Sequence, residues 1–210
     1  MAKQYRTPVH TRGRLASLLG AGLAALCLVT GCDDVSGESA GESDSEGETP
    51  ALRDVHLLGE LGDGAFISIV ADEDDVVIYA CDGEDDNVTM NEWFKGPHDD
   101  GAFELTSKDG AHVSGQFDAE TATGSLTMPG GAAIEFDALV EDGDAGLYVL
   151  DDVDFLGGWV VRDDGTRGAV INRTTGDLVT GVSFSLGAST AIVQEQTFTI
   201  ALLSEPVINL

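Results

Sequence analysis

Six Asp-Gly pairs divide the chain between residues 63 and 165: Asp63-Gly64, Asp82-Gly83, Asp100-Gly101, Asp109-Gly110, Asp142-Gly143 and Asp164-Gly165. Asp-Gly suits a two-residue hairpin, because a type I′ turn needs positive φ at both central positions. Between the pairs lie short runs rich in Val, Ile, Phe, Tyr and Thr, which fit a pleated, half-buried surface. Such spacing predicts an all-β fold, an antiparallel meander of about eight to ten strands (barrel or sandwich) with one short helix.

The runs differ in pattern. Residues 65–71 and 76–81 are apolar at nearly every position, with Asp72-Glu73-Asp74-Asp75 between them. They read as a hairpin covered on both faces. From Phe103 onward the pattern alternates. Phe103 and Leu105 oppose Glu104 and Thr106. Val113, Gly115 and Phe117 oppose His112, Ser114 and Gln116. Ile134, Phe136, Ala138 and Val140 oppose Glu135 and Asp137. Alternation of this kind predicts a three- or four-stranded meander with one wet face. Residues 146–150, 158–162 and 168–173 read as further strands, and 197–203 as the strand that closes the sheet. The short helix is expected from Thr89, whose Thr-Met-Asn-Glu run to Glu92 matches a capping box with Val88 and Trp93 as staple. Gly96-Pro97 would end it, leaving Trp93 and Phe94 to plug one end of the sheet.

Ahead of the body stand two segments of different composition. Residues 1–14 carry Lys3, Arg6, Arg12 and Arg14 and no acid, and residues 15–31 carry no charge. A basic start, an apolar run and a small-residue end predict a secretory signal rather than a membrane span. The run closes on Leu28-Val29-Thr30-Gly31-Cys32, which resembles the lipobox of bacterial lipoproteins. The resemblance implies cleavage before Cys32 and lipid attachment to its sulfur, with acyl chains holding the protein at a membrane. Residues 33–50 hold seven acidic residues, four Ser, three Gly and no base, a composition that cannot offset the entropy of ordering and reads as a tether. The expected organisation is therefore a signal peptide at 1–31, the lipidated Cys32 with its acidic tether at 32–50, and one β domain at 51–210.

Removing the leader takes away four of the ten basic residues and none of the 38 acids, so the mature formal charge is 6 − 38 = −32. Phosphate backbones would be repelled, which excludes nucleic acid as a partner. The bland reading of such charge is a solvated surface, and it outweighs a dedicated cation-binding one. Cys27 leaves with the leader and Cys32 is expected to carry lipid, so Cys81 has no partner within the chain. It ends an apolar run and reads as a buried thiol acting as a small apolar side chain.

Four motifs carry a family resemblance: Tyr79-Ala80-Cys81-Asp82-Gly83, Glu92-Trp93-Phe94, Ala145-Gly146-Leu147-Tyr148, and Gly158-Trp159-Val160-Val161-Arg162-Asp163-Asp164-Gly165-Thr166. Together they resemble an uncharacterised β-domain of exported proteins in actinobacteria and other bacteria, often found behind a lipobox or membrane anchor. The resemblance implies the β fold and the exported setting. It implies no activity, so no catalytic residue is carried over.

His56, His98 and His112 lie in no paired zinc spacing. Gly59-Glu60-Leu61-Gly62-Asp63-Gly64 is glycine-rich without the strand and helix a phosphate loop needs. No GxSxG elbow occurs. Residues 82–87 and the trio Asp151, Asp152 and Asp154 offer oxygens for calcium but lack the EF-hand spacing. No catalytic, cofactor-binding or metal residue is assigned, and Cys32 alone is named as a site, for lipid. The favoured function is a non-catalytic binding module on the cell envelope, its partner an envelope protein or glycan. A barrel carrying a small apolar ligand and a hydrolase without a recognisable motif are the alternatives.

Overall fold

The alternating and continuous apolar runs both fold as strands. The computed structural model describes Leu52 and residues 54–210 apart from 84–86, without the Asp63 side chain. Cys32, the leader and the tether lie outside the described residues.

The first eight strands are β1 (Val55–Glu60), β2 (Phe66–Ala71), β3 (Asp75–Cys81), β4 (Asn91–Pro97), β5 (Ala102–Thr106), β6 (His112–Phe117), β7 (Thr121–Thr127) and β8 (Ala133–Leu139). They form one antiparallel sheet in the order 4-3-2-1-8-7-6-5. Neighbours in sequence pair, except β4 with β5, and β8 returns to β1 through Leu58↔Leu139, Gly59↔Ala138 and Glu60↔Asp137. The result is a nearly closed eight-stranded sheet with its gap between β4 and β5. Side chains fill that gap, since Leu105 of β5 packs onto Gly96 of β4.

The interior holds Leu57, Ile67, Ile69, Ile78, Phe94, Phe103, Val113, Phe117, Leu126 and Phe136, among others. Each large apolar side chain buried there contributes about 1.5–3 kcal/mol. One row shows how the volume is shared. Phe103 faces Gly115, Gly115 faces Gly124, and Gly124 faces Phe136 across β5 to β8. A Cβ on either glycine would lie 2.7 Å from the tip of the adjoining ring. Two missing side chains thus make room for two aromatic rings.

A second sheet contains β9 (Gly146–Asp151), β10 (Phe155–Arg162), β11 (Gly165–Asn172) and the two-residue β15 (Ala201–Leu202), in the order 11-10-9-15. A third holds β12 (Ser183–Ser185), β13 (Thr190–Val193) and β14 (Gln196–Thr199). The outward side chains of β1–β4, including Leu58, Phe66, Val70, Val77, Tyr79 and Trp93, pack against Leu147, Leu156 and Val160 of the second sheet. Its opposite face, through Leu150, Phe155, Trp159 and Val170, packs on Ala191 and Val193 of the third. Three apolar layers therefore alternate with sheets. β10 is buried on both faces from Phe155 to Val161.

Four expectations are corrected. The helix from Thr89 does not form: residues 91–97 are β4 and pair residue by residue with β3. Thr89 gives its backbone N–H and its hydroxyl to the Asp82 carboxylate, which also accepts from Met90 N–H. A two-turn helix is marginal alone and would leave the outer edge of β3 open, so the ladder wins. Residues 197–203 do not close the main sheet; β14 lies in the third sheet, β15 edges the second, and β8 does the closing. Val140 does not point inward but is 53% exposed, because the chain leaves β8 after Leu139. The described residues form fifteen strands rather than eight to ten, the surplus being β1, β4 and the short pieces after residue 182.

Candidate functional site

Tyr79, Trp93 and Gly158, from three of the four motifs, come together, and what they build is packing. Tyr79 and Trp93 stand side by side on β3 and β4 with ring centroids 4.2 Å apart. Both rest on Gly158 of β10, where a Cβ would lie 2.6 Å from Trp93 and 2.8 Å from Tyr79. The Tyr79 hydroxyl lies 2.8 Å from Asn91 Oδ1 and 3.1 Å from the Gly158 carbonyl oxygen. Burial, then the neighbouring Cys81, pushes the Tyr79 hydroxyl well above its usual pKa. Cys81 is a free, fully buried thiol, as expected, and burial raises its pKa. Gly83 N–H donates to its sulfur at 3.2 Å. A thiol held neutral and out of solvent is not poised as a nucleophile. Trp159 points the other way and stacks on Phe184 in the third layer, with centroids 5.0 Å apart.

Of the carboxylates considered for calcium, Asp82, Asp151 and Asp152 are used by the chain itself. Asp82 caps Thr89 and Met90 as above; residues 84–86 lie outside the described residues. Asp151 pairs with Arg173 and accepts from Asn209, and Asp152 accepts from Asp154 N–H at 3.0 Å. Among the described residues no group of three or more His, Cys, Asp or Glu side chains gathers to hold a metal. The histidines are apart. His56 lies on β1, and His112 faces Glu104 at 3.2 Å across the exposed face. His98 accepts from Gly101 N–H at Nδ1 (3.1 Å), which leaves Nε2 to donate to the Asp72 carbonyl oxygen at 2.9 Å. It ties the β2–β3 and β4–β5 turns beside Phe117.

Most of the described cations are also committed. Lys95 donates to the Ile208 carbonyl oxygen at 3.1 Å, and Arg173 donates to that of Asn209 at 2.7 Å, clasping the C-terminal tail. Arg162 and Arg167 lie over the Phe66 ring, 4.8 and 4.9 Å from its centroid. Arg167 Nε donates to the Gly64 carbonyl oxygen, and Arg162 Nε to Glu141 at 2.6 Å. Burial disfavours the charge on Arg162, but Glu141 outweighs it and the pKa rises.

The Arg162–Glu141 pair floors the concave feature that sequence reading missed. A cleft of about 350 Å³ opens on the outer side of β1 and β8, lined by Leu58, Glu60, Glu135, Asp137, Leu139, Val140, Glu141 and Arg162. It lies where the second sheet stops covering the first. Leu139 and Val140 are 56% and 53% exposed at its edge. Exposed neighbouring aliphatics on a mostly acidic surface are the one signal that points here, and the alternation pattern assigned Val140 to the core instead.

Compared with known proteins, the chain matches no family model, no curated protein and no solved structure. Among the described residues no helix is long and apolar enough to cross a membrane, which says nothing of a crossing by strands.

Proposed function

We propose that the chain is an envelope-anchored lipoprotein, facing the periplasm or exterior, whose β-rich body is a non-catalytic binding module. The observation that carries this reading is the Leu28–Val29–Thr30–Gly31–Cys32 run between an apolar leader and an acidic stretch of eighteen residues. Lipid on Cys32 fixes one end, and the acidic stretch lets the body range from the surface. The body supports a binding role in two ways. Its main sheet is filled by its own side chains, so a ligand meets the outside. Among the described residues its outer surface carries a defined cleft at the boundary between covered and wet strands. The packed interior weighs against the apolar-carrier alternative.

Labelling of exported chain with a clickable palmitate analogue tests the anchor. Native chain is expected to carry label and to enter the detergent phase on partitioning; Cys32→Ser should lose both. Label retained by Cys32→Ser, or native chain left in the aqueous phase, ends the reading. Crosslinking the anchored chain in intact envelopes, followed by mass spectrometry, then tests the binding role.

A further inference from the structure

We propose that the β1–β8 cleft takes a basic side chain, together with a neighbouring apolar one, from an extended segment of a partner polypeptide. The inference rests on the binding-module reading and specifies its ligand.

Charge decides the sign of the ligand. Glu60, Glu135, Asp137 and Glu141 line the cleft against a single guanidinium, leaving a formal charge of −3. That guanidinium is set among acidic and aromatic neighbours. Arg162 Nε is bonded to Glu141 at 2.6 Å, Asp164 stands 3.8 Å from Nη1, and the planar face lies over Phe66. At the floor Glu141 Oε2 and Arg162 Nη1 each lack a hydrogen-bond partner, so this buried pair is balanced within itself and the excess charge belongs to Glu60, Glu135 and Asp137 at the walls. Low-dielectric walls focus such a field outward.

Shape and polarity decide the rest. About 350 Å³ holds one or two side chains, not a folded domain. Leu139 and Val140 stand exposed at the edge with Leu58 behind them. A bare metal ion would leave those aliphatics unused, and among the described residues no three carboxylates stand close enough together to hold one. A lipid tail would have to lie among four carboxylates. A lysine or arginine meets both demands, with its charged head at Glu135 and Asp137 and its apolar stem on Leu139. An adjacent aliphatic side chain would cover Val140.

The test uses the full chain in mild detergent and a fluorescein-labelled peptide of sequence Ala-Leu-Lys-Val-Lys-Ala, read by anisotropy. Native chain should bind, and binding should weaken with salt. The double change Glu135→Gln with Asp137→Asn should weaken binding about tenfold, and Leu139→Ser with Val140→Ser by a similar factor. The charge-matched control, Glu195→Gln with Glu205→Gln, should bind like native chain. A peptide with Gln at both Lys positions should not bind. The proposal is overturned if the native chain does not bind the peptide, if the Gln peptide binds equally, or if the control loses as much as the cleft variant. Unchanged thermal unfolding of each variant confirms that affinity, not folding, has been read. Crosslinked partners that persist when this peptide fails would leave the module standing and sink only the cleft.

Discussion

The two halves of the main sheet have strands of similar length and the same antiparallel pairing, yet they meet different solvents. β1–β4 are covered on both faces, by the interior and by the second sheet. β2 is buried at all six positions and β3 at six of seven. β5–β8 are covered on one face only. β5 alternates strictly between exposed and buried, and Glu104, Thr106, Thr123 and Asp137 face water. The same backbone therefore tolerates very different side chains, and the sequence records which face is covered. A continuous apolar run marks a strand with two dry neighbours, and alternation marks a strand with one.

The comparison breaks most sharply if a side chain is added to the dry half. Gly158→Val places atoms where Trp93 and Tyr79 already stand, in a layer closed on both sides. It should cost about 3 kcal/mol or prevent folding. Thr123→Val on the wet face should change stability by less than about 0.5 kcal/mol. Urea unfolding of the two variants measures both. Equal effects would mean that the second sheet does not pack on β1–β4 in solution.

This contrast shows why some of the fold was legible and some was not. The β2–β3 hairpin follows from continuous apolar runs and the β5–β8 meander from alternation repeated over successive strands. β4 did not, because Thr89 to Trp93 satisfies a local helix rule that the β3 edge and the Asp82 carboxylate override. The turns were only partly legible. Asp100-Gly101 takes positive φ at both positions, as a type I′ turn requires. Gln194 and Glu195 do the same, with neither Gly nor Asn to announce it. The cleft was the least legible feature. Its floor joins Glu141 to Arg162, twenty-one residues apart, and its edge depends on where β8 releases the chain. Nothing in the short motifs announces that Tyr79 and Trp93 are seated together on Gly158.

The seam between the halves supplies a smaller effect with a pH signature. Glu92 of β4 lies opposite Ala80 and is only 6% exposed at the open β4–β5 edge. Burial raises its pKa, a hydrogen bond with Ser107 opposes the rise, and Asp109 adds to it. A carboxyl whose folded pKa exceeds its unfolded value stabilises the fold fully below the unfolded value. That contribution fades as pH rises through the folded one. Glu92→Gln should therefore match native chain at low pH and be the more stable of the two at pH 7. Unfolding midpoints across pH 4 to 8 give the difference curve. A flat curve, or one of opposite sign, would mean that the seam is open to water and that the halves part there.

The smallest effect concerns one hydroxyl on each half. Ser68 lies on the outer face of β2, opposite Tyr79 and Leu58, and is 1% exposed. Its hydroxyl meets no protein donor or acceptor, so the dry layer holds a polar group that gains nothing there. Ser125 lies on the outer face of β7, opposite Ser114 and Glu135, within reach of water. An unsatisfied buried hydroxyl costs about 1–3 kcal/mol, part of which its removal returns. Ser68→Ala should stabilise by up to about 1 kcal/mol after the loss of packing atoms, whereas Ser125→Ala should leave the midpoint unchanged. A destabilised Ser68→Ala would show that the hydroxyl is satisfied, and the layer over β1–β4 would then be wetter than its apolar lining implies.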